Sequence, residues 1–500
     1  MRPVLLLLAC LAACESTRPP PHQPADAPPR AATDAALDAP ALPARCGEPA
    51  GPFAPLSTRC GNFVDGQGRS VVLFGVNARV EGVFDVDLGP GRVPLEPIPP
   101  FTLDDARRMR AAGFNALRLP LQWSGLEPTE TGGVRPSYLD RVAAVVELCR
   151  QAELGVLLDL HQDAYSKEIG EDGAPLWAIV PAPDMLLEGP LNDLAARRFS
   201  AQVARAFATF FGDGADGERL RGRYAQMAAA LAARFRGDRT VIGLEVFNEP
   251  VASDAQVRRL NLLVAQAIRA ADSERLVFFE PDVTSRQVLD RSPRPSAPFA
   301  VAGGVYAPHT YPLSFTGTDA QRMGFTAETL VPSVRSAREE AGLWGVPLAV
   351  TEWGYDPRGI RAEAYYDAMM SAQGRYGASS FLWLWKEQSQ DSWGLHAWDA
   401  PSRSWTERAE VFRWVARPRP VAVAGDLESW SWDPSARALT VRYAPRPEVT
   451  APHELWLPAA LGAWTLRCDG ATGAAYEASA NVGRVRCAAD ATSVTAQLAP

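Results

Sequence analysis

The stretch VIGLEVFNEP, residues 241–250, decides how the chain is read. An apolar run of this length reads as a buried strand, and strands end in turn residues. This one ends in an amide, a carboxylate and a proline (Asn248, Glu249, Pro250), with a second carboxylate, Glu245, inside the run. A polar turn after a strand is one explanation. The other is a strand that carries Asn248 and Glu249 to a place where chemistry is done.

Seven further runs share the pattern: VVLFGVN (71–77), FNALRLP (114–120), LGVLLDL (154–160), LVFFEP (276–281), VAGGVYAP (301–308), VPLAVTE (346–352) and SSFLWLW (379–385). Amphipathic helical patterns lie between them, at 102–112, 136–150 and 254–269. In the last, Val257, Leu260, Val264 and Ile268 recur at spacings of three and four. Continuous apolar runs alternating with helices read as parallel strands buried on both faces. Eight such units predict an α/β fold, a (β/α)8 TIM barrel, in a domain spanning residues 46–417. A doubly wound sheet would carry a Gly-rich phosphate loop after an early strand, and the sequence has none.

Several runs end in polar or aromatic residues: Arg118 in the second, Asp159, His161 and Asp163 after the third, Asn248 and Glu249 after the fourth. His309 and Tyr311 follow the sixth, Glu352 closes the seventh, and Trp383 and Trp385 close the eighth. A barrel gathers these ends at one face, where active sites form. Each ending alone says little; their convergence is the argument. After residue 418 the pattern changes to short, turn-bounded, partly alternating segments such as ALTVRYAP and WTLRCDG. Residues 418–500 read as an antiparallel β-sandwich.

The chain of 500 residues, 47% hydrophobic and 22% charged, suits a large globular domain plus a smaller one. A net charge of −8 argues against nucleic acid as a partner. Fourteen Trp suit sugar rings and lipid chains as well as a core. Residues 1–14 (MRPVLLLLACLAAC) have the positive start, short apolar segment and small residues of an export signal. Leu11-Ala12-Ala13-Cys14 resembles a bacterial lipobox, which implies a lipidated Cys14 and a membrane anchor; an ordinary signal peptide is the alternative. Residues 15–45, with 8 Pro and 9 Ala, read as a semi-rigid spacer. In an exported protein Cys46 with Cys60, and Cys468 with Cys487, are candidate disulfides, and Cys149 on an apolar helical stripe reads as a buried thiol.

Glu249 and Glu352 supply what glycoside hydrolysis needs, two carboxyl groups flanking a scissile bond. In the retaining geometry these sit about 5–5.5 Å apart, one as acid/base and one as nucleophile. FNEP after the fourth run and TEWG after the seventh resemble glycoside hydrolase family 5, over roughly residues 60–415. The resemblance implies Glu249 as acid/base, Glu352 as nucleophile and Asn248 on the sugar 2-hydroxyl. It implies Arg118 and Tyr311 as supports of the nucleophile, His309 beside the acid/base and Trp383 as a platform under the reacting sugar. No metal or organic cofactor belongs to that mechanism.

LDLHQDAYS (158–166) with GAPLWA (173–178) is similar to the endoglycoceramidase branch, which includes glucosylceramidases and steryl glucosidases. That similarity implies Asp159, His161 and Asp163 as sugar-binding residues and a glycolipid substrate. A His-x-Asp metal pair is the rival and lacks an evident third ligand. The loop 164–200 carries Trp177, Ile179, Val180, Met185, Leu186 and Leu187, and is expected either to form an apolar lip for the lipid, with Trp177 against substrate, or to pack on the barrel. Where the branch often offers a lysine after the first strand, this chain has Arg79. An exo-acting glucosidase, an endo-glucanase or mannanase, and a non-catalytic glycan-binding lipoprotein remain alternatives.

Overall fold

The computed structural model describes residues 54–283, 301–388, 393–468 and 473–499. The signal segment, Cys14, the spacer and Cys46 lie outside them. Eight parallel strands form the barrel: β1 (Phe74–Asn77), β2 (Ala116–Gln122), β3 (Gly155–His161), β4 (Val241–Glu245), β5 (Leu276–Phe279), β6 (Gly304–Tyr306), β7 (Ala349–Trp353) and β8 (Ser379–Leu382). They pair in the order 7-8-1-2-3-4-5-6. Parallel bridges Tyr306–Leu348 and His309–Glu352 then join β6 to β7. Each expected run supplies one barrel strand.

The helices start where local chemistry starts them. Leu103–Ala111 opens on a Thr102–Asp105 capping box, Pro136–Gln151 on a proline in its first turn, and Asp254–Ala271 on a Ser253–Gln256 box. Their apolar stripes meet the outward strand residues. In β2 the outward Leu117, Leu119 and Leu121 join that layer, while Ala116, Arg118 and Gln122 alternate to the other face.

Inside the barrel the residues stack in layers. Ala116, Leu157, Phe278, Val305, Ala349 and Phe381 share the lower interior cluster. Gly75 and Gly243 make room there: a Cβ would come within 2.1 Å of the Phe381 ring at Gly75 and 2.4 Å of the Phe278 ring at Gly243. Phe63, from the segment before β1, stacks on Phe278 with centroids 6.0 Å apart and helps plug the interior. Two residues further along, Asn77, Arg118, Asp159, Glu245, Glu280 and Thr351 make the interior polar, and this layer carries the site.

The C-terminal region forms a second body around Leu427, Leu439, Val441, Leu455, Val485 and Val494. Its first strand is β9 (Arg419–Val423), and β10 (Gly425–Asp433) and β11 (Ala438–Pro445) form a long antiparallel pair. Cys468 and Cys487 are bonded across it. The sequence assigned residues 57–71 to the barrel domain. The structure instead pairs Ser57–Arg59, Asn62–Val64 and Ser70–Val71 into the sheet that holds β9, so the chain enters through the sandwich before it starts the barrel. Buried Arg419 fastens the two bodies, lying 3.8 Å from the Phe74 ring of β1 and 4.6 Å from Trp456 of the sandwich. Cys60 is disulfide-bonded. Cys149 is buried and free, its thiol pushed up to about 12 by burial, as an unreactive core residue.

Candidate active site

Arg118, fully buried and pointing inward from β2, is the hub. Its Nε donates to Glu245 Oε2 at 2.6 Å, Nη1 to Glu352 Oε1 at 2.6 Å and Asn77 Oδ1 at 2.9 Å, and Nη2 to Asn248 Oδ1 at 2.8 Å. Asp159 Oδ2 lies 3.0 Å from Nη2. One planar cation thus ties together residues from β1, β2, β3, β4 and β7, a task suited to the rigid guanidinium fork. Burial alone would lower its pKa, and Asp159, Glu245, Glu352 and Glu280 together hold it well above the ordinary value. Glu245, the carboxyl group inside the opening stretch, is therefore a buried partner of Arg118 in the barrel interior. It accepts a second hydrogen bond from Thr351 Oγ1 at 2.8 Å, and burial raises its pKa to about 7.

The chain leaves β4 still hydrogen-bonded to its neighbours, with Asn248 N–H donating to Leu160 O at 3.1 Å. The Asn248 side chain is fixed at both ends, since its Nδ2 donates to Gln162 O at 3.1 Å while its Oδ1 takes Arg118. Glu249 then adopts a left-handed backbone, φ 42°, directly before Pro250. A non-glycine residue in that region costs about 1–3 kcal/mol and persists where the surroundings impose it. Gln162 Nε2 donates to the carbonyls of both Asn248 and Glu249, at 2.8 and 3.2 Å. The strained turn is how Glu249 reaches the mouth.

Glu352 holds its place through Arg118 on Oε1 and through the Tyr311 hydroxyl, which donates to Oε2 at 2.9 Å. Burial, followed by Glu352 and Glu249, pushes the Tyr311 phenol well above its usual range, so it is a neutral donor. His309 sits between the two glutamates, with Nδ1 2.9 Å from Glu249 Oε1 and 3.5 Å from Glu352 Oε2. Ligand atoms of Glu249, His309 and Glu352 all lie within 4.8 Å of one another. Burial pulls His309 down to about 4, so it is a neutral imidazole near pH 6.

Beside them His161 and Trp383 stack face to face, centroids 5.8 Å apart and planes 8° from parallel. His161 Nδ1 meets Asp159 Oδ2 at 2.6 Å, and its Nε2 lies 3.8 Å from Asp163. Burial opposes a charged imidazole there, but Asp159 and Asp163 override it and hold the pKa well above the ordinary value. Asp163 also pairs with Arg198 at 2.9 Å. His161, Asp163 and Asp172 place ligand atoms within 4.8 Å of one another, so the structure does supply a third group beside the His-x-Asp pair. Asp172 is fully buried and held well above its ordinary pKa by burial first, then by Asp163 and Glu171, as a neutral acid.

Most residues singled out from the sequence meet here: Arg118, Asp159, His161, Asn248, Glu249, His309, Tyr311 and Glu352 are joined by the contacts above, with Trp383 and Asp163 at the edge. Trp177 stands apart. Its indole donates to Glu127 O at 3.0 Å, its edge packs on Trp123 at 5.1 Å and Arg223 lies over its ring. Ile179 is buried, whereas Leu176, Met185 and Leu186 are exposed, so the loop keeps apolar side chains at its surface on both sides of Ile179. Arg79 is buried among Glu96, Glu387 and Glu171, at 2.5, 3.4 and 3.9 Å, instead of being offered as a free cation. Sequence reasoning missed Asn77, Gln162 and Glu280. Asn77 and Glu280 stand at the ends of the first and fifth runs, and the rule that found Glu249 would have found them.

A closed barrel with two glutamates at facing strand ends, one of them held by a buried arginine and a tyrosine, defines a glycoside-cleaving enzyme of the carboxylate-pair type. Residues 92–389 match the Cellulase (glycosyl hydrolase family 5) model, and residues 417–497 match the glycoside hydrolase family 5 C-terminal domain. The chain belongs to glycosyl hydrolase family 5 and is a retaining glycoside hydrolase. It is 26% identical over 442 residues to endoglycoceramidase I of Rhodococcus hoagii, covering 82% of this chain and 81% of that one. The endo-glycoceramidase II structure from Rhodococcus sp. superposes with a TM-score of 0.71 at 25% identity, covering 87% of this chain and 99% of that one. A Cryptococcus neoformans sterylglucosidase shares the fold, with a TM-score of 0.67 at 16% identity over 88% of this chain and 96% of that one.

Proposed function

We propose that this enzyme cleaves the β-linkage between a glycan and a lipid aglycone, releasing oligosaccharide and ceramide from glycosphingolipids. Glu249 protonates the glycosidic oxygen as Glu352 attacks the anomeric carbon; the C–O bond to the aglycone breaks and a glycosyl ester forms. Glu249 then takes a proton from water, which displaces Glu352 and returns both carboxyls to their starting state. Arg118 and Tyr311 orient the nucleophile, Asn248 faces the 2-hydroxyl, and Trp383 underlies the reacting sugar with His161, Asp159 and Asp163 along its edge. The observation that carries the reading is the stack of His161, from the HQDAYS segment, on Trp383, with His161 held by the Asp159 that shares Arg118 with Glu352. The similarity to endoglycoceramidases over most of the chain supports it. Phe315, 56% exposed, extends the Tyr311–Trp393 ring cluster into solvent beside the nucleophile, an apolar surface for the aglycone to cover.

Product analysis tests this. The purified chain is incubated with an oligosaccharyl-ceramide and, separately, with glucosylceramide, with Glu352→Gln as the blank. Intact oligosaccharide plus ceramide is the expected result. Free glucose from glucosylceramide alone would assign the enzyme to exo action, and silence on both with activity on cellulose or mannan would overturn the lipid reading. We further propose export and anchoring through a lipidated Cys14, supported by the lipobox-like LAAC and the spacer behind it. Cys14→Ser should move the protein from the membrane to the soluble fraction, and an unchanged distribution would refute the anchor.

A further inference from the structure

Glu280 follows β5, is 3% exposed and has no part in the chemistry assigned so far. Its Oε2 accepts the backbone N–H of Glu249 at 3.1 Å. Its Oε1 lies 3.4 Å from His309 Nε2 and 3.8 Å from Arg118 Nη2. Neither that oxygen nor His309 Nε2 has another hydrogen-bond partner, although both are buried. Buried polar atoms are nearly always paired, so two orphans facing each other point to one bond that closes with a small shift. Asn261 Nδ2 donates to the Glu280 carbonyl at 3.0 Å and fixes the backbone from which the side chain reaches.

The charged groups around Glu280 are Arg118 from β2, Asp159 from β3, Glu245 from β4, Glu249 beyond it and His309 beyond β6. Burial first, then Glu245, Glu249 and Asp159, hold the Glu280 carboxyl well above its ordinary range against the pull of Arg118. It is a neutral acid with one proton to donate. His309 is a neutral imidazole with one N–H among three carboxyl neighbours, Glu249 and Glu352 at Nδ1 and Glu280 at Nε2. Which nitrogen carries that proton decides whether His309 donates to Glu249 or presents a lone pair to it.

We propose that Glu280 is a positioning residue for Glu249: it donates to His309 Nε2 and so holds the Nδ1–H tautomer that donates to Glu249 Oε1, while its other oxygen holds the Glu249 backbone in its left-handed turn. With Oε1 of Glu249 taken by His309, the transferable proton belongs on Oε2, the oxygen that meets the glycosidic oxygen. In the second step the same N–H supports Glu249 as a carboxylate. The inference rests on the acid/base assignment of Glu249 made above.

The test compares Glu280→Ala and Glu280→Gln with Glu249→Ala on two substrates. A lipid glycoside needs its leaving group protonated; a dinitrophenyl β-glycoside does not. The readout is kcat/KM, which reports the first covalent step. General acid catalysis contributes about 10²–10⁴-fold, so Glu249→Ala should show that loss on the lipid glycoside and little on the aryl one. Glu280→Ala should lose about 30-fold on the lipid glycoside and under about 3-fold on the aryl one, part of the same acid contribution. Glu280→Gln, whose amide can both donate to Nε2 and accept from the Glu249 N–H, should recover most of the loss. Equal loss on both substrates, or a Gln variant as slow as the Ala variant, would overturn the proposal. Absence of any split in Glu249→Ala would overturn the acid/base assignment instead. Should Glu280→Ala lose its fold, Glu280→Met keeps the volume and carries the same comparison, and wild-type rates in it would refute the role.

Discussion

Replacing Tyr311 by Phe removes one hydroxyl and leaves the ring where it is, against Phe315 at 5.1 Å and Trp393 at 5.8 Å. The hydroxyl donates to Glu352 Oε2 at 2.9 Å, while Arg118 keeps its hold on Oε1 at 2.6 Å. A hydrogen bond to a charged group is worth about 1.5–3 kcal/mol, or about 10- to 150-fold in rate. The step that loses it follows from charge. In the first step Glu352 spends its negative charge in forming the ester, so the phenol's bond weakens towards the transition state. In the second step the carboxylate leaves and regains charge, so the bond strengthens. Only interactions stronger in the transition state accelerate a step. Tyr311→Phe should therefore slow hydrolysis of the glycosyl-enzyme by about 10- to 150-fold and leave its formation close to the wild-type rate. With a dinitrophenyl β-glycoside, rapid-mixing kinetics should show a burst of one phenolate per enzyme, a fallen kcat and a nearly unchanged kcat/KM. A kcat/KM that falls as far as kcat, with no burst, would refute the argument.

Trp177→Ala should act on stability, since the indole packs on Trp123 and bonds to Glu127 O. A loss of about 2–3 kcal/mol in denaturant melts is expected, below the 3–5 typical of a fully buried Trp, with kcat/KM on lipid glycosides held well below the melting range. Met185→Ser with Leu186→Ser, both exposed, should leave aryl-glycoside turnover alone and raise KM for lipid glycosides; no change on either substrate would make the loop an ordinary surface. The pH dependence of stability follows from the buried acids. Glu245 and Glu171 are raised from 4.5 to about 7 and about 8, so the stability they contribute is full below about pH 4.5 and is lost as pH climbs through those values. His309 is lowered from 6.5 to about 4, so its contribution is full above 6.5 and lost as pH falls through 4. Asp172 and Glu280 are raised in the same sense and His453 is lowered to about 4 in the sense of His309, so retained protons outnumber excluded ones and stability should fall as pH rises from about 5 to 7. A melting temperature that rises from pH 5 to 8 would contradict protonated interior acids.

The barrel was legible because its strands are buried on both faces and each reads as an apolar run bounded by amphipathic helices. The entry through the sandwich was not. Ser57–Arg59, Asn62–Val64 and Ser70–Val71 are two or three residues long, too short for any periodicity, and the strand that ties them to the sandwich, β9, pairs with Ser70–Val71 from some 350 residues away. Trp177 stayed open between two readings for a related reason. A tryptophan in an apolar loop has the same composition whether it covers substrate or its own barrel, and Trp123, the ring it packs on, lies beyond the second run, far from it in sequence.

The site was legible as residue types at strand ends and illegible as charge. The interior layer sets Asp159, Glu245, Glu280 and Glu352 around a single guanidinium. Arg118, even with His161 on Asp159, cannot balance four anions in a medium where each buried charge costs several kcal/mol. The fold settles the account with protons, held by Glu245 and Glu280. Both then act as hydrogen-bonding acids, leaving the positive field of Arg118 to Glu352 and Asp159. A letter E in a sequence does not say whether it will be an anion. That depends on how many carboxylates converge on the same cation, and such convergence exists only once β2, β3, β4, β5 and β7 stand side by side.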